Sequence, residues 1–163
     1  MMEHDNLNEN ENSQPAKQIT TFYLDRELYG IEVQKVQEVT GKLAVIKVPL
    51  APLFVKGLIN LRGQIATALG LKELLNQKDS KDDCMSVVCK SDNGLISIIV
   101  DEIGEVVEVS QDQFENTPDH LSEDFKKYIK GIYKMNGHIL SLIDLENVLK
   151  ELSPTIETTS RAK

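Results

Sequence analysis

Residues 54–75 and 128–149 repeat one another, and this duplication limits what the chain can fold into. Phe54-Val55-Lys56-Gly57-Leu58-Ile59-Asn60-Leu61-Arg62-Gly63-Gln64-Ile65 lies over Tyr128-Ile129-Lys130-Gly131-Ile132-Tyr133-Lys134-Met135-Asn136-Gly137-His138-Ile139 at an offset of 74. The match runs without a gap to Leu75 over Leu149, and six of its 22 positions are identical: Lys56/Lys130, Gly57/Gly131, Gly63/Gly137, Ile65/Ile139, Leu71/Leu145 and Leu75/Leu149. A weaker echo at an offset of 67 sets residues 31–39 against 98–106, with four of nine positions identical. Unequal offsets mean that loop lengths changed between the copies. Each copy spans roughly 65 residues, a size that is marginal for a domain on its own. The two copies are therefore expected to pack together over a shared interface.

Within each copy the apolar residues alternate. Thr20, Phe22 and Leu24 share one face, as do Tyr29, Ile31 and Val33, with Asp25-Arg26-Glu27 as a tight connection between two strands. The second copy gives strands from Met85 to Lys90 and from Leu95 to Val100 around Ser91-Asp92-Asn93-Gly94, where Asn-Gly tolerates the positive φ of a hairpin turn. Leu58 to Leu61 and Ile65 to Leu69 flank Arg62-Gly63-Gln64 as another hairpin, which Gly131 to Leu142 repeats around Asn136-Gly137. The period then changes to that of a helix: Leu145, Val148, Leu149 and Leu152 form one stripe, with Asp144 placed to cap it and Gly70 at the equivalent position in copy one. Two five-stranded antiparallel units follow, and closure into small barrels would remove their exposed edges.

The remaining composition excludes several classes of function. With 18 Lys+Arg against 26 Asp+Glu the net charge is −8, and the chain lacks the basic stripe that phosphate-backbone binding requires, so no nucleic-acid partner is expected. The densest basic cluster, Lys126-Lys127 with Lys130, sits beside Glu123 and Asp124 and reads as a solvated face. The longest dense apolar stretch, Leu95 to Val100, is far short of the roughly 20 residues needed to span a bilayer, and no secretory signal is visible, so no membrane insertion is expected and a cytoplasmic location is. Cys84 and Cys89 would point to opposite faces of a strand and are expected as free thiols in a reducing compartment. Residues 1–18 and 153–163 are too polar to bury surface and read as disordered tails, leaving 19–152 as the folded part, with subdomains at about 19–80 and 84–152 that exchange a strand or helix.

Chemistry is hard to find. His4, His120 and His138 have no Cys, Ser or Asp at a spacing that suggests a catalytic set, and no glycine-rich phosphate loop is present. Asp101-Glu102 with Glu105 and Glu108 alternate with valines and read as a solvated sheet face rather than a cation site; Asp79, Asp82 and Asp83 lie in the loop between the copies. No enzyme activity, metal or cofactor is expected. What remains is Asn60-Leu61-Arg62-Gly63, whose glycine recurs in copy two while its arginine does not. Arg62 can fasten two strands by pairing with a carboxylate, or act as an interface hot spot beside Leu58, Leu61 and Val36, and both can hold together.

The run Gly57 to Gly63, the preceding Val48-Pro49-Leu50-Ala51-Pro52, the segment Val36-Gln37-Glu38-Val39 and the stretch Val100 to Val106 together resemble the CheW-type chemotaxis coupling proteins over about residues 20–150. The resemblance implies an all-β fold with short helices, in which two SH3-like five-stranded β-barrels pack around a hydrophobic groove. It implies a non-enzymatic adaptor that couples the cytoplasmic tips of transmembrane chemoreceptors to the regulatory domain of the CheA histidine kinase, in the cytoplasm but recruited to membrane receptor clusters. Carried over residue by residue, receptor contact falls on Val36, Glu38, Leu58, Asn60, Leu61, Arg62 and Gly63, with Glu38 and Arg62 as an ion pair. Val100 and Asp101 would line the groove from the second barrel. One stretch departs from the family pattern: Ile65-Ala66-Thr67-Ala68-Leu69-Gly70-Leu71 lacks its proline and aspartate. A diverged paralogue serving another receptor–kinase pathway, or a small-ligand-binding barrel, are the alternative readings.

Overall fold

The computed structural model describes residues 16–78, 84–92 and 94–152. The tails at 1–15 and 153–163, the aspartates Asp79, Asp82 and Asp83, and Asn93 of the expected turn lie outside the described residues. In chain order the elements are β1 (Lys17–Leu24), β2 (Glu27–Glu32), β3 (Val36–Thr40), β4 (Val55–Leu61), β5 (Gln64–Gly70), α1 (Leu71–Leu74), β6 (Met85–Ser91), β7 (Gly94–Val100), β8 (Glu102–Val109), β9 (Phe114–Glu115), α2 (Glu123–Tyr128), β10 (Ile129–Met135), β11 (His138–Ile143) and α3 (Leu145–Lys150). The fold is mostly β with short helices, as its alternating pattern predicts. Strand β1 takes in Lys17 and Gln18, which the sequence places in the tail; backbone pairing with Val109 and Glu108 of β8 holds these two polar residues in the sheet.

Two sheets form, in the orders β8-β1-β2-β11-β10-β9 and β3-β6-β7-β5-β4. Each draws strands from both copies, and the exchange is reciprocal. The first sheet joins β1 and β2 to β8, β10 and β11; the second joins β6 and β7 to β3, β4 and β5. The repeat survives in the register. Ala66 of β5 pairs with Leu95 of β7, and Leu140 of β11 pairs with Leu28 of β2, which are the same partners once offsets of 74 and 67 are applied. The bulge between Val55 and Gly57 recurs between Ile129 and Gly131. These cross-copy contacts, β5 with β7 and β11 with β2, are parallel, which corrects the expectation of purely antiparallel units. A parallel neighbour needs a long crossover rather than a hairpin, and the exchanged half of the chain supplies it.

Closure is the second correction. Neither sheet is a closed barrel among the described residues: β8 and β9 remain edges of the first, β3 and β4 of the second. The second sheet curls far enough for its edges to approach. Outside β4 the chain is carried by a single bridge, in which Ile46 and Leu58 exchange N–H···O bonds of 2.8 Å each.

The turns and caps follow local chemistry. Asp25 and Arg26 both take positive φ (49° and 69°), as do Arg62 and Gly63 (51° and 87°), the two-residue geometry that matches the twist of paired strands. Asp144 caps α3 as its spacing predicts, its Oδ1 accepting from the Asn147 N–H at 3.2 Å. Helix α2, where the sequence shows only a charged face, starts at Ser122, whose hydroxyl accepts from the Phe125 N–H at 3.2 Å.

The main core runs continuously between the sheets. Phe22, Tyr29 and Ile31 from the first meet Val87, Cys89 and Ile98 from the second, closed off by Leu71, Leu74, Leu145 and Val148 of the helices. Each such side chain contributes ~1.5–3 kcal/mol on burial. A second, smaller cluster of Ile19, Val109, Tyr133, Leu140 and Leu142 fills the interior of the first sheet alone. Both cysteines are free, Cys84 half-buried and Cys89 buried. Burial pushes the Cys89 thiol up to about 12, so at neutral pH it stays protonated and unreactive. Alkylation of the folded protein followed by mass spectrometry is expected to label Cys84 well before Cys89, with Cys89 reacting only after unfolding.

Candidate protein-docking site

Strand β3 and the β4–β5 hairpin build one surface at the seam of the second sheet. In β3 the side chains alternate, so Val36 and Glu38 turn partly inward while Gln37 and Val39 face solvent. Val36 packs against the main core. At the hairpin, Asn60 Oδ1 accepts from the Gly63 N–H at 3.0 Å, which fastens the turn. Asn60 is thus a turn-holding residue as well as an exposed one. Gly63 has open space around it, so only its positive φ calls for glycine there.

Arg62 Nη2 donates to Glu38 Oε1. The Arg62 side chain is 74% exposed and that of Glu38 25%. The two residues belong to opposite edges of the sheet, and their pairing is what spans the unbonded seam between β3 and the end of β4. An exposed pair of this kind stabilises the fold by at most ~1 kcal/mol; its larger consequence is that it holds a guanidinium in one place on the surface. On the adjoining strand β4 Leu58 is half-buried and Leu61 is buried. The structure therefore brings together Val36, Glu38, Leu58, Asn60, Leu61, Arg62 and Gly63.

Val100 and Asp101 are elsewhere, at the end of β7 and the crossing that follows it. Val100 ends β7 in the main core with 1% of its surface exposed. Asp101, read from the sequence as part of a solvated acidic face, has a side chain only 3% exposed and meets Lys72 Nζ at 2.8 Å. The reason is topological: Asp101 stands where the chain crosses from the second sheet to the first, and its N–H donates to the Tyr23 carbonyl at 3.0 Å. Its neighbours Glu102, Glu105 and Glu108 do face solvent.

Within the strands of the second sheet two large apolar residues are exposed, Val39 on β3 and Ile65 on β5, and alternation alone does not mark them. Their repeat equivalents Val106 and Ile139 are exposed on the first sheet. The signal was present in the shared offsets. Among the described residues no group of three or more His, Cys, Asp or Glu side chains is placed to hold a metal ion. No helix among them is long and apolar enough to cross a membrane.

The geometry defines a class by architecture: a duplicated, strand-exchanged β protein of two sheets with an exposed ion pair at the seam of one of them. Comparison with known proteins narrows the class. The CheW-like domain family matches residues 18–153, and the chain belongs to that family. It is 30% identical over 136 residues to the chemotaxis protein CheW of Klebsiella aerogenes, covering 82% of each chain. It is 29% identical over 143 residues to the chemotaxis protein CheW of Treponema pallidum, covering 83% of this chain and 84% of that one. The crystal structure of the scaffolding protein TtCheW from Thermoanaerobacter tengcongensis superposes with a TM-score of 0.72 at 27% identity, covering 80% of this chain and 90% of that one. The two-sheet, SH3-like architecture is thus that of the family's solved scaffold.

Proposed function

We propose that this chain is a non-enzymatic chemotaxis adaptor that couples the cytoplasmic tips of transmembrane chemoreceptors to a CheA-type histidine kinase, working in the cytoplasm at membrane receptor clusters. The observation that carries the reading is the Glu38–Arg62 pair, on strands that also carry half-buried Val36 and Leu58. A receptor tip is a helical rod, and an apolar stripe along such a helix suits a surface with an apolar floor and one oriented cation. The kinase's regulatory module meets an exposed sheet edge instead, so the two partners bind together rather than in competition.

Titration of the full chain with a receptor cytoplasmic fragment and with the kinase's regulatory domain, separately and then together, tests this. A ternary complex is expected. Arg62→Ala is expected to weaken receptor binding by ~1–3 kcal/mol while leaving kinase binding unchanged. A double-mutant cycle with Glu38→Ala, reading binding and melting separately, apportions the effect between interface and fold. Unchanged receptor affinity in a folded Arg62→Ala protein would remove Arg62 from the interface.

A further inference from the structure

The two sheets differ in one respect that their shared ancestry makes visible. The first sheet fills its interior with Ile19, Val109, Tyr133, Leu140 and Leu142. At the equivalent positions of the second sheet stand Ser86, Lys42, Ile59, Ala66 and Ala68. Every replacement is smaller or charged. Two of these positions, Lys42 and Ser86, line a cavity of about 240 Å³ together with Val45, Lys47 and Lys56 among others. It lies near the start of β4, about 20 Å along that strand from the Arg62 turn.

Charge around this hollow is one-sided. Between Glu38 and Glu73 the chain has no acidic residue and five basic ones, although its net charge is −8. Lys56 is neutralised by Glu73. Lys42 and Lys47 form no ion pair among the described residues. The neighbouring backbone is also open. Ile46 spends its N–H and C=O on Leu58, so strand alternation turns those of Val45 and Lys47 the other way, where they make no hydrogen bond among the described residues. Ile46, Leu50 and Leu53 continue an exposed apolar surface beyond the cavity.

We propose that this edge and hollow bind an extended acidic and apolar segment of a partner protein. The segment adds as a strand beside residues 43–47, its backbone pairing with the free groups of Val45 and Lys47. Its carboxylates lie on Lys42 and Lys47, and one apolar side chain enters the hollow beside Val45 and Ser86. An edge with unpaired N–H and C=O groups selects a peptide backbone over a lipid headgroup, and the lysines select acidic side chains. The site is separate from the Glu38–Arg62 surface and does not depend on what binds there.

Calorimetric titration of the full chain with a short synthetic peptide alternating glutamate and valine tests the proposal. Parallel titrations use the lysine–valine counterpart and vesicles of phosphatidylglycerol with phosphatidylcholine. Saturable binding of the glutamate peptide, weakened by added salt, is expected. Lys42→Glu combined with Lys47→Glu is expected to reduce affinity at least ~10-fold, and Arg62→Ala to leave it unchanged. Val45→Pro, which removes an outward N–H, is expected to weaken binding with the fold checked by its melting temperature. Absence of saturable binding, equal binding of the lysine peptide, or undiminished affinity in the double charge reversal would overturn the proposal. So would vesicle binding without peptide binding, or peptide binding that emerges only once Asp82 and Asp83 are changed to asparagine, which would give the hollow to the chain's own acidic residues.

Discussion

Lys72→Ala is expected to lower the free energy of unfolding by ~3–5 kcal/mol. Lys72 sits on α1 with its side chain 5% exposed, its Nζ 2.8 Å from Asp101 Oδ1 and 3.6 Å from Asp25 Oδ1. The Asp25 N–H donates to Asp101 Oδ2 at 2.8 Å, so one cluster ties the helix of the second sheet to the crossing point and to the β1–β2 turn of the first. Taking away the ammonium leaves the Asp101 carboxylate buried without the Lys72 cation that offsets most of its desolvation. Replacing both members, Lys72→Met with Asp101→Leu, is expected to recover most of the loss, because well-packed apolar residues often match a buried ion pair. Urea unfolding of the two variants measures this. A loss below ~1 kcal/mol in Lys72→Ala, accompanied by an unchanged denaturant slope, would mean that water reaches Asp101.

Gly57→Ala comes second, with an expected loss of ~3 kcal/mol, the sum of backbone strain and a steric clash. Gly57 has φ of +146°, a region that side chains rarely enter, and a Cβ there would lie 2.2 Å from the Ile46 carbonyl oxygen. The Ile46 bridge to Leu58 must then move, and with it the segment that forms the lysine-lined hollow. Gly131, the repeat equivalent, lacks the positive φ; its Cβ would meet the ring of Phe114 at 2.3 Å and the Glu115 carbonyl oxygen at 2.9 Å. The carbonyl contact at Gly131 is the looser of the two and no positive φ adds strain there, so Gly131→Ala is expected to lose less. Thermal melts of both single variants give the comparison, and equal losses would contradict it.

These two glycines also show what the sequence could reveal. Their identity across the repeat signals close packing at both positions, and alignment alone detects it, because a Cβ in either copy would lie under 3.0 Å from a neighbour. The hairpins were legible for the same reason: positive φ at a turn restricts residue choice locally. The Asp144 cap is equally local. Helix α2 was obscured because its six residues carry charge on most faces and bury chiefly Tyr128. Asp101 was misread because alternation with valines describes a strand face, whereas its burial arises from a crossing between sheets that no short window of sequence contains. Glu38 and Arg62 became a pair only through the resemblance, and the curl of the second sheet supplies the geometric reason.

Reciprocal exchange has a consequence for how the protein is made. Leu28 waits for Leu140, and Ile19 for Val107, before the first sheet can exist. During synthesis the leading half of the polypeptide therefore emerges with its core faces unmatched, and order must arrive late, when the trailing half leaves the ribosome. A gene split at the midpoint would yield two fragments that are each incomplete but complementary, a protein that reassembles from halves rather than one that divides into them.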